Sequence, residues 1–397
     1  MRRLDGTRDL LDGEWARLSS LTIALRESFS VKGYVPVDTP ILEPTELFLK
    51  KSGGELASRL YSFTDPGGHR VSLRPEFTSS VIRAYVQGGA SSPVRWQYAG
   101  PVFRYEEGSD RPRQFTQVGA ELIGDGSPQA DAEVVGLACQ GLEHLGLKSL
   151  SLRIGHVGAL SRLLAGFGLS ERTRWFLVGR VAGLAAGDGA GLKEEMVRLG
   201  LYGRPAEVPL PSGVSASEAH HVVERLLAGM GGLAGSRDTE EIIVRYLDKL
   251  QAADDPGSVD AALGFLEELA MLRGKPQAVL SGLHKLVSQS GRYRLDPQVL
   301  DELHQLVGLF TPECVAGARV ELNMGLARGL AYYTGMVFDV YAPMGGNHPL
   351  GGGGRYDGLV KALGGREDTP ALGFAYALEA VDAALPARPA KRRKQRA

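Results

Sequence analysis

Hydrophobic and polar residues in the first part of the chain follow helical and strand periods in turn. Residues 14–31 have apolar positions at helical spacing and are followed by Gly33, which predicts an amphipathic helix that ends there. Residues 70–73 and 94–104 have the short apolar pattern of strands, and a helix is predicted over 76–86 between them. Because the strands do not recur at regular strand–helix–strand intervals, the pattern favours a mainly antiparallel sheet flanked by helices.

Prolines and glycines indicate where these elements begin and end. Residues 34–44, YVPVDTPILEP, predict an extended segment at an edge or interface, because proline cannot donate to a central sheet ladder. Ser127 and Pro128 predict a helix N-terminus, and residues 149–157 predict the next strand. Residues 170–309 have helical periods with glycine-rich breaks and no cluster of chemically active side chains, which predicts an inserted helical module.

Within that module, residues 215–218 have the spacing of a capping box, and Asp296 with Pro297 predicts another helix start. Strand patterns return over residues 318–343, which predict two strands joined by a turn near 326–330. The glycines at 351–354 lack the Lys-Ser/Thr of a phosphate-binding loop, so we expect a tight turn that brings backbone close to a pocket.

Composition and charge narrow the functional classes. The 45 basic and 46 acidic residues give a net charge of -1, which argues against a surface built to hold nucleic acid. Cys139, Cys314, His156 and His348 have no partners at metal-ligand spacing, so reduced thiols, structural histidines and no metal site are expected. No segment resembles a signal peptide or reaches the roughly 20 apolar residues of a membrane span, which favours a soluble cytoplasmic protein.

Polar side chains from distant segments predict a small-molecule pocket. Gln117 and Glu121 lie four residues apart on a predicted strand and therefore on the same face. Other candidates come from upstream and downstream segments, namely Arg74, Glu76, Thr78, Arg328, Tyr332 and Tyr333. Two alternatives remain open: Glu76 and Arg104 could form a structural ion pair, and the two tyrosines could be ordinary strand aromatics, one buried and one exposed.

Six motifs in order resemble the catalytic core of class II histidyl-tRNA synthetases: LDGTRDLL, LRPEFT, FRYEE with RQFTQVGAELIG, RGLAYYTG, GGRYDGLV and ALGFAYALE. They look still more similar to a paralogue, the regulatory subunit of ATP phosphoribosyltransferase. The resemblance implies an α+β fold of the class II synthetase type. It implies a discontinuous core over residues 1–166 and 311–385, a helical insertion over 167–310 and a basic disordered tail over 386–397.

Three departures separate the chain from the synthetases. The family's arginine that holds the ATP γ-phosphate is replaced by Ala380, and the aspartate of its RGLDYY motif by Ala331. A methyl group cannot replace a charge-assisted phosphate contact. Only about twenty residues follow Phe374, too few for an anticodon-binding domain of ordinary size. We therefore expect no catalysis by the chain itself and no tRNA partner.

The resemblance implies a set of residues that read free histidine, which presents an ammonium, a carboxylate and an imidazole. The implied histidine-binding residues are Glu76, Thr78 and Gln117 at the ammonium, Arg328 at the carboxylate, and Glu121, Tyr333 and Tyr356 at the imidazole, with Tyr332 beside them. Arg104, Arg111 and Arg113 would form a residual nucleotide or phosphate site.

The implied function is regulation of a hetero-oligomeric ATP phosphoribosyltransferase in the first step of histidine biosynthesis. Its partner would be the short catalytic subunit, and its effector would be histidine, with no cofactor. A homodimer interface is implied over residues 33–44, around Pro40. Two alternatives are a truncated histidyl-tRNA synthetase and a histidine-adenylating ligase that acts on another acceptor.

Overall fold

The chain divides into two compact units in a computed structural model. One comprises Met1–Ala159, Leu272–Gly282 and Leu300–Ala397, and the other Leu160–Met271 and Leu283–Val299. The structure describes residues 2–50, 56–106, 112–185, 187–203, 254–289, 291, 295–328, 332–343, 348–365 and 368–386. The capping-box segment 215–218, Ala331, Arg111 and the basic residues of the tail lie outside these ranges.

Helices and strands are numbered here along the described residues. The helices are α1 (Asp12–Val31), α2 (Thr45–Leu49), α3 (Thr78–Gly88), α4 (Pro128–His144), α5 (Val157–Ala165), α6 (Glu171–Leu184), α7 (Gly189–Arg198), α8 (Pro256–Ala270), α9 (Pro276–Gln289), α10 (Gln298–Leu309), α11 (Leu359–Ala362) and α12 (Leu378–Ala384). The strands are β1 (Val35–Pro36), β2 (Leu42–Pro44), β3 (Ser62–Thr64), β4 (Arg70–Leu73), β5 (Val94–Phe103), β6 (Gln114–Ile123), β7 (Ser151–His156), β8 (Arg273–Gly274), β9 (Arg319–Asn323), β10 (Met336–Tyr341), β11 (Gly351–Arg355) and β12 (Ala371–Ala377).

The first unit is built on a sheet of nine strands in the order β1-β5-β6-β12-β11-β10-β7-β9-β8. Only β1–β5 and β7–β9 pair in parallel within this sheet, so the predicted mainly antiparallel arrangement is confirmed. A second sheet has the order β2-β4-β3. The proline-containing segment supplies β1 and β2, both edge strands, because its prolines cannot complete a ladder on both sides.

Helices α1 and α4 pack against the nine-stranded sheet and exclude water from its centre. Leu25 and Phe29 of α1 are fully buried, and the Phe29 ring lies 5.7 Å from that of Phe374 on β12. The Tyr376 hydroxyl donates to the Ala138 carbonyl oxygen on α4. Burial of apolar side chains such as these is the main contribution that holds helices against a sheet.

Two helices begin at the capping residues that the sequence predicted. The Ser127 hydroxyl oxygen accepts a hydrogen bond from the Ala130 amide at the start of α4, where Pro128 occupies the first helical position. The Asp296 carboxylate accepts from the Gln298 amide at 3.0 Å, where α10 begins. Both side chains satisfy amides that have no partner within the first helical turn.

Two predictions about the C-terminal segments were wrong. The glycines at 351–354 form most of β11, an internal strand, instead of a tight turn. Strands β9 and β10 are not neighbours, because β7 inserts between them and pairs with both. Consecutive strands usually pair with each other. Here β7, which lies more than 160 residues upstream, stands between β9 and β10 instead.

Within the described residues, no helix is both long and apolar enough to cross a lipid bilayer.

Candidate functional site

A cavity of 510 Å³ lies in the first unit, with walls from β6, β11, β12 and the start of α3. The predicted site residues that line it are Glu76, Thr78, Arg104, Gln117, Arg328, Tyr332 and Tyr333. The sheet register brings residues from both ends of the chain together, since Gln117 on β6 pairs with Ala377 on β12. Polar groups that converge in one largely apolar cavity are typical of small-molecule sites.

Glu121 lies behind the cavity wall and is fully buried. Its carboxylate accepts hydrogen bonds from the hydroxyls of Thr78, at 2.7 Å, and Tyr98, at 3.0 Å, and from the Tyr356 hydroxyl. Burial raises the pKa of Glu121 to about 8, against the three hydroxyl donors, which favour the ionised form. The Glu121 carboxyl group can therefore exchange a proton near neutral pH.

Glycines make room for the charged side chains of the site. A β-carbon at Gly373 would lie 1.4 Å from a Glu121 carboxylate oxygen, and one at Gly352 would lie 2.0 Å from the Arg328 guanidinium. Neither position tolerates a side chain unless those groups move. The pocket therefore requires glycine at these positions of β11 and β12 because no side chain fits there, and not because the backbone turns.

Glu76, just before α3, and Gln117, on β6, offer oxygen acceptors to the cavity. Both carboxylate oxygens of Glu76 accept from the Ser79 amide, at 3.1 and 3.2 Å, so Glu76 acts as an N-terminal cap. Burial raises the pKa of Glu76, and the Arg104 charge opposes that shift. The Gln117 side-chain oxygen is buried and has no hydrogen-bond partner among the residues that the structure describes. An unpaired buried acceptor of this kind favours a ligand that brings a donor.

Arg328 supplies the cationic end of the cavity. Its guanidinium pairs with Asp339 on β10 and donates to the Phe338 carbonyl oxygen at 3.0 Å. Burial alone would lower the pKa of Arg328, but the Asp339 carboxylate raises it above its usual value. Arg328 therefore stays charged and can meet a carboxylate. Asp339 was not predicted from the sequence, although an aspartate inside the apolar run MVFDVY was a signal.

The tyrosines form a packed cluster beside these groups. Tyr332 and Tyr333 are both buried, 2% and 8% exposed, so the alternative of one buried and one exposed strand aromatic was wrong. The ring of Tyr332 lies 4.8 Å from that of Tyr333 and 5.5 Å from that of Tyr356. The first pair is tilted by 55° and the second is edge-to-face, and this packing limits the positions that the hydroxyl groups can take.

Of the residues predicted to form a nucleotide or phosphate site, Arg104 lines the cavity and Arg113 does not. Arg104 lines the cavity, donates to the Pro75 carbonyl oxygen at 2.8 Å and lies over the Phe115 ring. Burial lowers the pKa of Arg104, and so does the nearby positive charge of Arg59. Arg113 does not line this cavity: its guanidinium lies 4.7 Å from the centre of the Tyr105 ring, and its amide donates to Gly6. Arg111 lies outside the described residues.

Other residues of the cavity were not among the predicted binding residues. Ala380, expected to lack a phosphate contact, lines the cavity. His348, predicted to be structural, is exposed and also lines it, together with the ion pair of Arg59 and Glu106. His156 accepts a hydrogen bond from the Ala159 amide at 2.9 Å at the start of α5, which is a structural role. Within the described ranges, no group of three or more His, Cys, Asp or Glu side chains could hold a metal ion.

The chain is similar to known proteins over most of its length. The histidyl-tRNA synthetase family matches residues 6–199 and 220–381. The histidine–tRNA ligase of Methanocaldococcus jannaschii is 33% identical over 379 residues, 95% of this chain and 74% of the relative. The Pyrococcus furiosus ligase is 32% identical over 383 residues, with 96% and 74% covered.

Two solved structures have a similar fold. A histidine–tRNA ligase subunit from Alicyclobacillus acidocaldarius is 26% identical with a TM-score of 0.58, and 97% of each chain is covered. A protein from Bacillus halodurans described as an ATP phosphoribosyltransferase regulatory subunit/histidyl-tRNA synthetase is 22% identical with a TM-score of 0.67, covering 98% of this chain and 84% of the other. At that identity the second shows the fold alone. It is the class II synthetase-like fold that the motifs implied.

These relatives correct one expectation from the sequence. We expected no catalysis by the chain itself, chiefly because of Ala380, but the relatives that match nearly the whole chain are named as ligases, which are enzymes. The expectation is therefore wrong. The extent of the family match and of the sequence identity places this chain in the histidyl-tRNA synthetase family.

Proposed function

We propose that this chain binds free L-histidine in the cavity and, through it, regulates a hetero-oligomeric ATP phosphoribosyltransferase as its regulatory subunit. The observation that carries the proposal is the difference between the two halves of the site. Several groups suited to histidine line the cavity and are buried, namely Glu76, Gln117, Tyr332 and Tyr333, whereas Ala380 lines it at the position that the resemblance matches to a phosphate-binding arginine.

In the histidine half, the ligand's three polar groups would each meet a suitable partner. The ammonium would donate to Gln117 and Glu76, the carboxylate would face Arg328, and the imidazole would reach Tyr333 near Glu121. Donors and acceptors at three fixed positions select one amino acid over others, because any other ligand leaves a buried polar group unpaired. The protein from Bacillus halodurans, whose description includes both roles, supports the same fold serving regulation.

The proposed partner is the short catalytic subunit, and the proposed effect is allosteric. Histidine would have to bind two conformations of the complex with different affinity, and a coupling of about 1–3 kcal/mol would be enough for control. The same proposal includes a homodimer through residues 33–44 and a cytoplasmic location. Exposed apolar side chains in that segment, Val35, Ile41 and Leu42, favour such an interface.

The test is histidine inhibition of the reconstituted complex. We expect Tyr333→Phe and Glu121→Ala to raise the histidine concentration needed for half inhibition by about 5- to 150-fold, because each removes a partner from a buried polar contact. Tyr341→Phe is the control, since Tyr341 is as buried as Tyr333 but lies on β10 with the Arg153 guanidinium over its ring, and it does not line the cavity. Inhibition that is unchanged in both pocket variants would contradict regulation through this site.

A second candidate function is histidine activation with ATP, and Arg104 and Arg328 favour it because both line the cavity beside Glu76. In that reaction a carboxylate oxygen of histidine attacks the α-phosphorus and pyrophosphate leaves. Two nearby cations would stabilise the charge that develops. The isolated chain would then catalyse histidine-dependent exchange of pyrophosphate into ATP. Arg104→Ala would lower the rate by about 100-fold or more, and Ala380→Arg would raise it.

A further inference from the structure

Arg355, at the end of β11, joins that strand to the segment that starts α4. Its guanidinium donates to the Asp131 carboxylate at 3.0 Å, to the carbonyl oxygens of Asp125 and Ser127 at 3.1 and 3.2 Å, and to Asp357 at 3.3 Å. Arg355 is only 8% exposed. Four acceptors, three from residues 125–131 and one from Asp357, are satisfied by one planar group, which a lysine or glutamine could not do.

Hydrogen bonds join residues 355–357 to Thr334, which directly follows the cavity residues Tyr332 and Tyr333. The Arg355 carbonyl oxygen accepts from the Thr334 amide at 2.9 Å, and the Asp357 amide donates to the Thr334 hydroxyl at 3.0 Å. The Tyr356 amide donates to the Ala371 carbonyl oxygen at 2.7 Å, and Asp357 accepts from the Ala371 amide. Residues 355–357 are thus fixed on both sides, with the Tyr356 side chain between the two anchors.

That position decides where the Tyr356 hydroxyl lies. It donates to Glu121, whose other hydroxyl partners are Thr78 and Tyr98. A small rotation of residues 355–357 would move this hydroxyl away from the carboxylate, and a displacement of about 1 Å is enough to impair a polar site. Arg355 does not line the cavity, so any effect on a ligand would pass through Tyr356 and the segment at Thr334.

We propose that Arg355 is a positioning residue for histidine recognition. By fixing residues 355–357, it keeps the Tyr356 hydroxyl in its hydrogen bond to Glu121 and keeps Thr334 in place beside Tyr332 and Tyr333. The inference rests on the proposed binding of histidine. It assigns specificity to an arginine that histidine never touches. Asp131 on α4 is its charged partner, so the start of this helix contributes to the site from outside the cavity.

The experiment compares histidine binding by calorimetry in Arg355→Gln, Tyr356→Phe and the double variant. We expect Arg355→Gln to weaken binding by about 10-fold. In the Tyr356→Phe background the same change is expected to weaken it by less than about 3-fold, because the hydroxyl it positions is already absent. The control is Arg95→Gln, which breaks the ion pair of Arg95 with Glu133 on the same helix and away from the cavity, and binding should stay within about 2-fold.

Equal losses in both backgrounds would show a merely structural role and overturn the inference, as would unchanged binding in Arg355→Gln. A second readout does not need histidine at all. The Tyr356 hydroxyl lowers the pKa of Glu121, so Arg355→Gln should move the Glu121 titration, followed by carbon-13 NMR, to higher pH. A parent chain that binds no histidine would refute the proposed function, whereas an unmoved Glu121 titration in Arg355→Gln would refute the positioning role.

Discussion

The Glu121 carboxyl group combines complete burial with three hydroxyl donors. Each donor favours the ionised form, but the loss of water outweighs them and the pKa rises to about 8. Near neutral pH the folded protein therefore holds a proton that the unfolded chain releases. This single residue makes both the stability of the fold and the chemistry of the site depend on pH.

We expect Glu121→Gln to remove a pH dependence of stability between about pH 4.5 and 8. The unfolded chain loses this proton near its ordinary pKa of 4.5, whereas the folded chain keeps it until about 8. Over that interval the parent's free energy of unfolding should fall as pH rises, by at most about 1.4 kcal/mol per pH unit, and level off above 8. Urea unfolding of both proteins at several pH values measures the difference, and parallel pH curves would contradict it.

Individual site residues could be predicted from the sequence where their spacing on a strand or a motif gave their context. Gln117 and Glu121 were placed on one strand face by their spacing, and the structure puts Gln117 in the cavity wall and Glu121 behind it. Asp339 and His348 have no such motif context, since their part in the site depends on strand pairing and on chain segments distant in sequence.

At the scale of elements, strands β11 and β12 form part of the cavity wall, and their glycines leave space for the side chains of Glu121 and Arg328. Gly373 on β12 pairs with Glu121 on β6, and Gly352 on β11 pairs with Asp339 on β10. Glycine weakens a strand through its conformational entropy. The pocket thus requires a sequence that is locally unfavourable for the sheet that carries it.

Gly373→Ala should destabilise the protein by about 1–3 kcal/mol and weaken histidine binding, because the added methyl group overlaps the Glu121 carboxylate. Gly179→Ala is the matched control. Gly179 lies within α6 with no atom within 4 Å of an added β-carbon, and the change should stabilise by about 0.5–1 kcal/mol. Urea unfolding gives both values, and equal stability changes of the same sign would contradict the account.

The elements themselves were predicted well where local signals are strong. Helix α1, strand β4 and the capped start of α4 were located within a few residues. The run of glycines in β11 was predicted as a turn, because glycine usually marks one, and only tertiary crowding reveals why it forms a strand. Strand order was likewise not predictable locally, since β7 separates β9 from β10.

At the scale of the whole molecule, the chain belongs to the histidyl-tRNA synthetase family, and a cavity in its first unit is lined by Gln117, Arg328, the buried tyrosines and Ala380. The central claim is that the first unit binds free histidine through Glu121, Arg328 and the tyrosines. Regulation and activation both require that binding, so it is the step on which either function depends.

Calorimetric titration of the full chain with L-histidine tests this claim most directly, with histidinol as the comparison because it lacks the carboxylate that would meet Arg328. We expect saturable binding of one histidine per chain, and binding of histidinol that is weaker by about 10-fold or more, since a charge-assisted contact is lost. Absence of saturable binding at millimolar histidine, or equal affinity for both ligands, would contradict the account.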